Sequence, residues 1–319
     1  MLLTSSTYQS SRLYFNCHLE TIIPGLFRKV NGVNYSRERI NTSDDDFLDL
    51  DWIKNGSGAL VIISHGLEGN SERPYMKGMS KIFGDNSFDV LAWNFRGCGG
   101  EVNRKVRFYH SGASDDLHTV VLHAIEQGYK SINLIGFSLG GNLTLKYLGE
   151  QKDELREEIK KTIVYSVPLH LHGSSIEISK MKNILYSKRF LRHLKKKIKE
   201  KATLMPDQLS TKGLSKITTI IDFDHQYTSR LHGYEDAIDY YTQCSSIHFL
   251  KDIKIPTLIV NALNDSFLSE ECYPYELLKD DPIITLETPE RGGHCGFPGK
   301  DSKGYFWSER RALEFILND

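Results

Sequence analysis

The sequence predicts an α/β protein: a mostly parallel central sheet of about eight strands, helices on both of its faces, and a helical cap inserted late in the chain. Three observations carry this. Strand-like and helix-like segments alternate along most of the 319 residues, the pattern of parallel strands joined by crossover helices. Most of the strand-like runs are apolar throughout, as strands buried on both faces are. One stretch, 171–250, is helix-like and strongly charged with no core strand, and is longer than a connection between neighbouring strands requires. The chain therefore divides into a core of residues 1–170 and 251–319 and a cap of residues 171–250.

The elements follow in order. Phe47–Ile53 alternates apolar and acidic residues, with Leu48, Leu50 and Trp52 on one face, and fits an edge strand with one solvated side. Runs 60–64, 90–94, 132–137, 162–167 and 257–261 lose that alternation and read as central strands. Residues 283–286 read as the last strand. Helices are expected near 75–83, 114–127, 142–150, 270–278 and 308–317. Within the cap, the segment 187–199 sets Leu191, Leu194 and Ile198 at helical spacing against a basic background. The plain expectation is a solvated cap helix with its apolar stripe on the protein; the alternative is transient contact with a lipid surface through this basic helix.

Composition removes several function classes. With 40 Lys and Arg against 41 Asp and Glu the net charge is −1, so no global field favours nucleic acid. The start, Met1-Leu2-Leu3-Thr4-Ser5-Ser6, lacks the charged opening and apolar stretch of a secretory signal, and the apolar run at 59–63 is too short to span a bilayer. A soluble cytoplasmic protein is expected. The five cysteines, Cys17, Cys98, Cys244, Cys272 and Cys295, form no CxxC pair, which argues against a zinc ribbon or a disulfide framework. A phosphate cradle at 97–100 fails for want of a following GK[ST], and no GxGxxG occurs. Neither a metal nor an organic cofactor is expected.

Chemistry concentrates at Gly136-Phe137-Ser138-Leu139-Gly140, which lies between a strand-like and a helix-like run. About one random chain in ten of this length carries Gly-x-Ser-x-Gly by accident, with Gly and Ser each near ~7% of residues. The context is what matters. In a strand-to-helix elbow the serine sits at a strained tip and its neighbours two away must be small. Serine is a weak nucleophile at neutral pH, so it needs a base, and the base needs a third group to orient it. In this topology the chain order is Ser, then Asp or Glu, then His. Asp265 follows the strand at 257–261, and His294 follows the strand at 283–286 in the loop Gly292-Gly293-His294-Cys295-Gly296. Taken singly, Asp265 suits a turn and His294 is one of 12 histidines; their joint placement in the required order is the stronger signal.

Other groups are weighed against these three. Asp222 and Asp224 are rival carboxylates, but their position in the cap suits structure or access control. Cys295 beside His294 is a weaker nucleophile candidate than Ser138. Donors for an oxyanion are expected from the backbone N–H of Leu139, directly after Ser138, and of Leu67 in the loop Ser64-His65-Gly66-Leu67-Glu68-Gly69. His65 is expected to brace that loop, since His294 already fills the position of the base. Arg96 can pair with an acidic substrate group or brace its own Gly-rich loop; the latter is commoner.

These motifs resemble the YheT-like branch of the α/β-hydrolase superfamily, which includes plant embryogenesis-associated hydrolases and yeast and animal medium-chain acyl esterases. The similarity runs over most of the chain: His18-Leu19-Glu20-Thr21-Ile22-Ile23-Pro24, His65-Gly66-Leu67-Glu68-Gly69, Asn94-Phe95-Arg96-Gly97-Cys98, Tyr109-His110-Ser111-Gly112 and Gly136 to Asn142 each match a block of that family. So do Phe223-Asp224 with Thr228, His232-Gly233 and Tyr240-Tyr241 in the cap, Asn261 to Asp265, and Gly293 to Phe297. The resemblance implies an α/β-hydrolase fold and hydrolysis of a small-molecule acyl ester by Ser138, Asp265 and His294. Three positions depart from the family: Asn264 and Ser266 stand where Asp and Pro are usual, and Glu20 where Gln is usual. An acyltransferase or thioesterase sharing the same acyl-enzyme, and a catalytically silent binding protein, are the competing readings.

Overall fold

Among the described residues of the computed structural model, 2, 3 and 6–318, nine strands form one sheet. Residues 1, 4 and 5 of the opening stretch considered for a leader lie outside them. The chain starts with a two-residue strand, β1 (Leu2–Leu3), and helix α1 (Cys17–Phe27), capped by the Asn16 side chain, which accepts from the Leu19 N–H. Strands β2 (Ser36–Asn41), β3 (Phe47–Ile53) and β4 (Ala59–Ser64) come next, then α2 (Pro74–Asp85), β5 (Asp89–Asn94), α3 (Ser114–Glu126), β6 (Ser131–Phe137), α4 (Leu139–Gln151) and β7 (Ile159–Tyr165). After a long helical excursion the sheet resumes with β8 (Thr257–Val260).

The sheet order is β1 and, beyond β8, the last strand (Ile284–Glu287), then β8, β7, β6, β4, β5, β3 and β2. Every pair from β5 through to β1 is parallel, while β2 and β3 run antiparallel at the far edge. Eight strands have four residues or more, which matches the expected sheet. On one face Val120 and Val121 of α3 and Leu143 and Leu145 of α4 join the largest core cluster. On the other, Met76, Met79 and Phe83 of α2 pack with Ala312 and Ile316 of the final helix.

Phe47–Ile53 is not an edge strand. It lies between β2 and β5, and both its faces are buried. The acidic residues that suggested a solvated side are instead neutralised across the pair by β2: Arg37 forks onto Asp51 at 2.7 and 2.8 Å, and Arg39 onto Asp49 at 2.7 and 3.1 Å. Asp51 also accepts from Ser71 and Asn94. β2 itself, Ser-Arg-Glu-Arg-Ile-Asn, has no apolar alternation, and its pairing is written in charge. The helix expected at 270–278 is also broken, into a 3₁₀ turn at Glu270–Cys272 and a single turn at Tyr275–Leu278, because Pro274 stands between them.

The excursion between β7 and β8 contains α5 (Leu171–Ser179), α6 (Ile184–Leu204), α7 (Ile220–Phe223), a π turn at Asp224–Thr228, α8 (Ser229–Leu231) and α9 (Ala237–Cys244). It is followed later by α10 (Tyr275–Leu278), β9 (Ile284–Glu287) and α11 (Trp307–Leu317). On α6 the stripe Leu191, Leu194 and Ile198 is buried against the protein, so the apolar side of the basic helix is already covered. Lys201 is buried too, and its ammonium caps the carbonyls of Asn103, Lys105 and Arg107. The far end of the excursion is tied to α4 by Asn142, which donates to the Ser111 and Cys244 carbonyls and accepts from the Ser246 N–H. Among the described residues no helix is long and apolar enough to cross a membrane.

Candidate active site

Ser138 sits between the end of β6 and the first residue of α4, with φ 54° and ψ −120°, a backbone region that L-residues avoid. The turn is held by the Ser138 N–H donating to the Tyr165 carbonyl at 2.8 Å. Its flanking glycines are steric requirements. A Cβ on Gly136 would lie 2.6 Å from the Gly141 Cα, and one on Gly140 would lie 2.4 Å from the His65 carbonyl oxygen.

His294 and Asp265 are brought to this serine from the loops after β9 and β8. His294 Nε2 lies 2.9 Å from Ser138 Oγ, and Nδ1 lies 2.8 Å from Asp265 Oδ2. The Asp265 side chain is fully buried and that of His294 is 11% exposed, so the chain of bonds is nearly out of water while Ser138 and His294 still line a cavity. Asp265 uses its other oxygen to accept from the Phe267 N–H at 3.0 Å. The Phe267 ring lies against the imidazole, centroids 4.2 Å apart. Burial alone would lower the imidazole pKa; the charge of Asp265 and its hydrogen bond overcome this and hold His294 above the ordinary histidine value.

The His294 loop is clamped by the N-terminal segment and by Ser166, the residue after β7. The His294 N–H donates to Thr21 Oγ1 at 2.9 Å, and the Cys295 N–H to Ser166 Oγ at 2.8 Å. Glu20 is fully buried and accepts from Ser10 Oγ (2.5 Å), Asn264 Nδ2 (2.7 Å) and the Gly292 N–H (3.2 Å), with Arg291 Nε at 3.3 Å. Asn264 in turn accepts from the Gly293 N–H at 3.1 Å. Two of the three departures from the family meet in one contact, in which Asn264 donates to Glu20; the third, Ser266, donates to Asn183 at 2.8 Å. No local pattern in the sequence signals this clamp: Asn264 stands beside Asp265, but Glu20 is far along the chain from all three site residues.

The loop after β4 passes close to the serine, since a Cβ on Gly66 would lie 3.2 Å from Ser138 Cβ. The amides on either side of Leu67 are occupied, that of Gly66 by Tyr75 Oη (3.0 Å) and that of Glu68 by Tyr109 Oη (2.9 Å). Among the described residues nothing accepts from the Leu67 or Leu139 N–H, and both leucines line the cavity at Ser138. His65 is a brace, as expected. Its Nδ1–H donates to the Gly66 carbonyl at 2.8 Å and its Nε2 accepts from the Phe95 N–H at 3.1 Å, with burial holding its pKa near 3 and the ring neutral.

The rival groups go elsewhere. Asp222 forms a capping box with Thr219 at the start of α7. Arg96 is consumed by Asp44, Asp46 and Asp116 at 2.7 to 3.0 Å, bracing its loop. Asp224 does reach the cavity, and accepts from Thr228 Oγ1 at 2.6 Å and Tyr241 Oη at 2.7 Å; burial pushes its pKa up to about 6. All five cysteines are unpaired, and among the described residues no three His, Cys, Asp or Glu side chains are grouped so as to hold a metal ion.

Two cavities meet at Ser138 and His294. One, of about 120 Å³, is walled largely by apolar side chains that include Leu139, Leu171, Ile178, Leu194 and Phe267. The other, of about 220 Å³, runs between α1, the β4–α2 loop and α6.

Known proteins share both fold and sequence with the chain. The family Hydrolase_4, described as serine aminopeptidase S33, matches residues 56–273, more than half of the chain. The protein named "Putative esterase YheT" of Escherichia coli K12 is 33% identical over 93% of this chain and 88% of its own length. "Phospholipase ABHD3" of Bos taurus is 29% identical over 83% of this chain and 67% of its own, and the "Monoacylglycerol lipase" of Saccharomyces cerevisiae is 28% identical over 90% and 64%. Among solved structures, the Pyrococcus furiosus esterase Pf2001 superposes with a TM-score of 0.58 at 18% identity over 91% of this chain and 95% of its own, a likeness of fold. The chain belongs to the YheT-like family of α/β-hydrolases, enzymes of the esterase and lipase type.

Proposed function

We propose that this protein is a serine carboxylesterase acting on acyl esters, with Ser138 as nucleophile, His294 as general base and acid, and Asp265 as the group that fixes the imidazole tautomer. One observation carries the reading: a single imidazole bridges Ser138 Oγ and the Asp265 carboxylate at 2.9 and 2.8 Å. With Nδ1–H donated to Asp265, Nε2 is the free base facing the hydroxyl.

Ser138 Oγ attacks the ester carbonyl as its proton passes to Nε2. The carbonyl oxygen becomes an oxyanion, received by the Leu67 and Leu139 N–H groups, each worth about 3 kcal/mol in the transition state. The C–O bond to the alcohol then breaks, and the imidazolium returns its proton to the departing alkoxide. Water repeats the sequence on the acyl-serine and releases the acid. Residues 171–250 serve as the cap, whose Leu171, Ile178 and Leu194 form the wall of an acyl chamber. The names of the relatives, an esterase, a phospholipase and a monoacylglycerol lipase, support an acyl ester as the substrate class.

The test is Ser138→Ala assayed on p-nitrophenyl butyrate. A fall in kcat of about 10⁴-fold or more is expected with thermal stability retained; wild-type turnover by the folded variant would defeat the assignment.

A further inference from the structure

The second cavity differs from the acyl chamber in charge. Its walls carry Arg28, Arg73, Arg189 and His193 against two carboxylates, Glu68 and Glu309. Both carboxylates are already committed. Glu309 is forked onto Arg28 at 2.5 and 2.9 Å, and Glu68 takes the Lys197 ammonium at 2.8 Å and the Tyr109 hydroxyl at 2.7 Å. Arg73 and Arg189 are left over. Among the described residues the Arg73 guanidinium donates only to the Glu68 carbonyl, at 2.8 Å, and neither it nor Arg189 has a carboxylate within ion-pair distance.

Arg73 is half-buried and Arg189 is exposed. Both line the groove that opens on Ser138 and His294, and they stand close enough that, after partial burial, the charge of Arg73 is the next largest influence pulling the Arg189 pKa down, with Arg192 adding to it. Two guanidiniums that repel one another beside a reacting centre are relieved by an anion between them. A guanidinium forks onto phosphate oxygens with directional, charge-assisted bonds.

Resting on the esterase reading above, we propose that this groove holds the alcohol part of the ester, and that this alcohol carries a phosphate group which Arg73 and Arg189 bind. The acyl chain occupies the apolar chamber on the other side of Ser138, so the scissile carbonyl lies between the two. The phosphate takes no part in bond breaking: the acyl C–O bond is cleaved, His294 protonates the departing alcohol oxygen, water completes the acid, and the phosphate ester leaves intact. Neutral acyl esters are turned over by the same machinery without this anchor.

The experiment compares kcat/KM of the full chain on 1-decanoylglycerol 3-phosphate and on 1-decanoylglycerol, both below their aggregation concentrations, for wild type, Arg73→Gln, Arg189→Gln and the double variant. The wild type should prefer the phosphate ester by about 10-fold or more, and the preference should collapse toward unity in the double variant, chiefly through KM; a charge-assisted hydrogen bond accounts for about that much per residue. Arg189→Lys, which keeps the charge, should retain most of it. Equal rates on the two esters in the wild type, or a preference undiminished in the double variant, would overturn the proposal. Failure on both esters would instead count against the esterase reading itself.

The source of the phosphate is read by competition against p-nitrophenyl butyrate hydrolysis. Inhibition by glycerol 3-phosphate, weakened in the double variant, identifies a soluble phosphate ester. Inhibition only by vesicles of phosphatidic acid in phosphatidylcholine, and not by pure phosphatidylcholine vesicles, identifies a phosphate presented on a lipid surface. Inhibition by neither overturns the proposal.

Discussion

The loops at the carboxyl ends of the strands and the helical excursion between β7 and β8 both line the cleft at Ser138, but they are built differently. The loops carry Ser138, Asp265 and His294 on backbone that is over-determined: a left-handed serine, glycines with no room for a Cβ, and Glu20, Asn264 and Thr21 clamping the acid and base loops from behind. The excursion supplies side chains such as Ile178, Leu194 and Arg189, held by helix packing and a few anchors such as Asn142. Reacting atoms require positions fixed to fractions of an ångström, whereas a wall that selects substrate tolerates exchange of one side chain for another. The difference predicts two kinds of mutational response, large losses of kcat in the loops and modest shifts of preference in the excursion.

The largest effect is expected at Asp265. Asp265→Asn leaves the fold intact but removes the charge and the tautomer control, and should lower kcat by about 10⁴-fold. It should also move the pH profile. The base must be neutral to act, so activity falls as pH drops through the His294 pKa; because Asp265 holds that pKa above the ordinary value, the acidic limb of kcat/KM in the wild type should lie above pH 6.5. In Asp265→Asn the largest influence holding the imidazole pKa up is removed while burial still pulls it down, and the limb of the residual activity should shift to lower pH. An unmoved limb would show that the titrating group is not this imidazole.

A smaller loss is expected from the clamp. Asn264→Asp sets a second carboxylate against the buried Glu20 and should reduce kcat about 10- to 100-fold with little change in KM. Adding Glu20→Gln to the same chain restores a donor facing an acceptor and should recover most of the activity and the Tm. Simple additivity of the two substitutions would refute the coupling, since contacting partners are expected to interact by about 1 kcal/mol or more.

Much of the core was legible because parallel strands buried on both faces write themselves as apolar runs, and because the elbow chemistry demands Ser, Asp and His in a fixed order at loop positions. Ser138, Asp265 and His294 are found together where that order placed them. The reading failed where structure is held by charge or by a single interrupting residue. β2 has almost no apolar signal, so Phe47–Ile53 reads as an edge strand in sequence, whereas Arg37 and Arg39 neutralise its acids within the sheet. Pro274 broke a helix that periodicity alone had drawn through it. The clamp of Glu20 on Asn264 joins positions 244 apart in the chain, and no local pattern announces such a pair. Resemblance to a family did mark both residues as unusual without saying why.

The smallest effect is expected in the acyl chamber. Ile178→Trp or Leu194→Trp should shorten the preferred acyl chain, lowering kcat/KM on a decanoate ester by about 10-fold relative to an acetate ester, in line with the 1–3 kcal/mol that a few methylenes contribute in an apolar pocket. Both variants losing acetate and decanoate turnover alike would place these residues with the rigid loops and erase the distinction between the two regions.

The central claim, that Ser138 is the atom acylated, is tested most directly by acid-quenching the wild-type enzyme during turnover of a p-nitrophenyl ester and locating the acyl group by peptide mass spectrometry. The account predicts the acyl mass on the peptide containing Ser138 and its absence from the same peptide of Ser138→Ala. Acyl transfer to another residue, Cys295 included, or steady turnover by Ser138→Ala with no covalent intermediate, would contradict it.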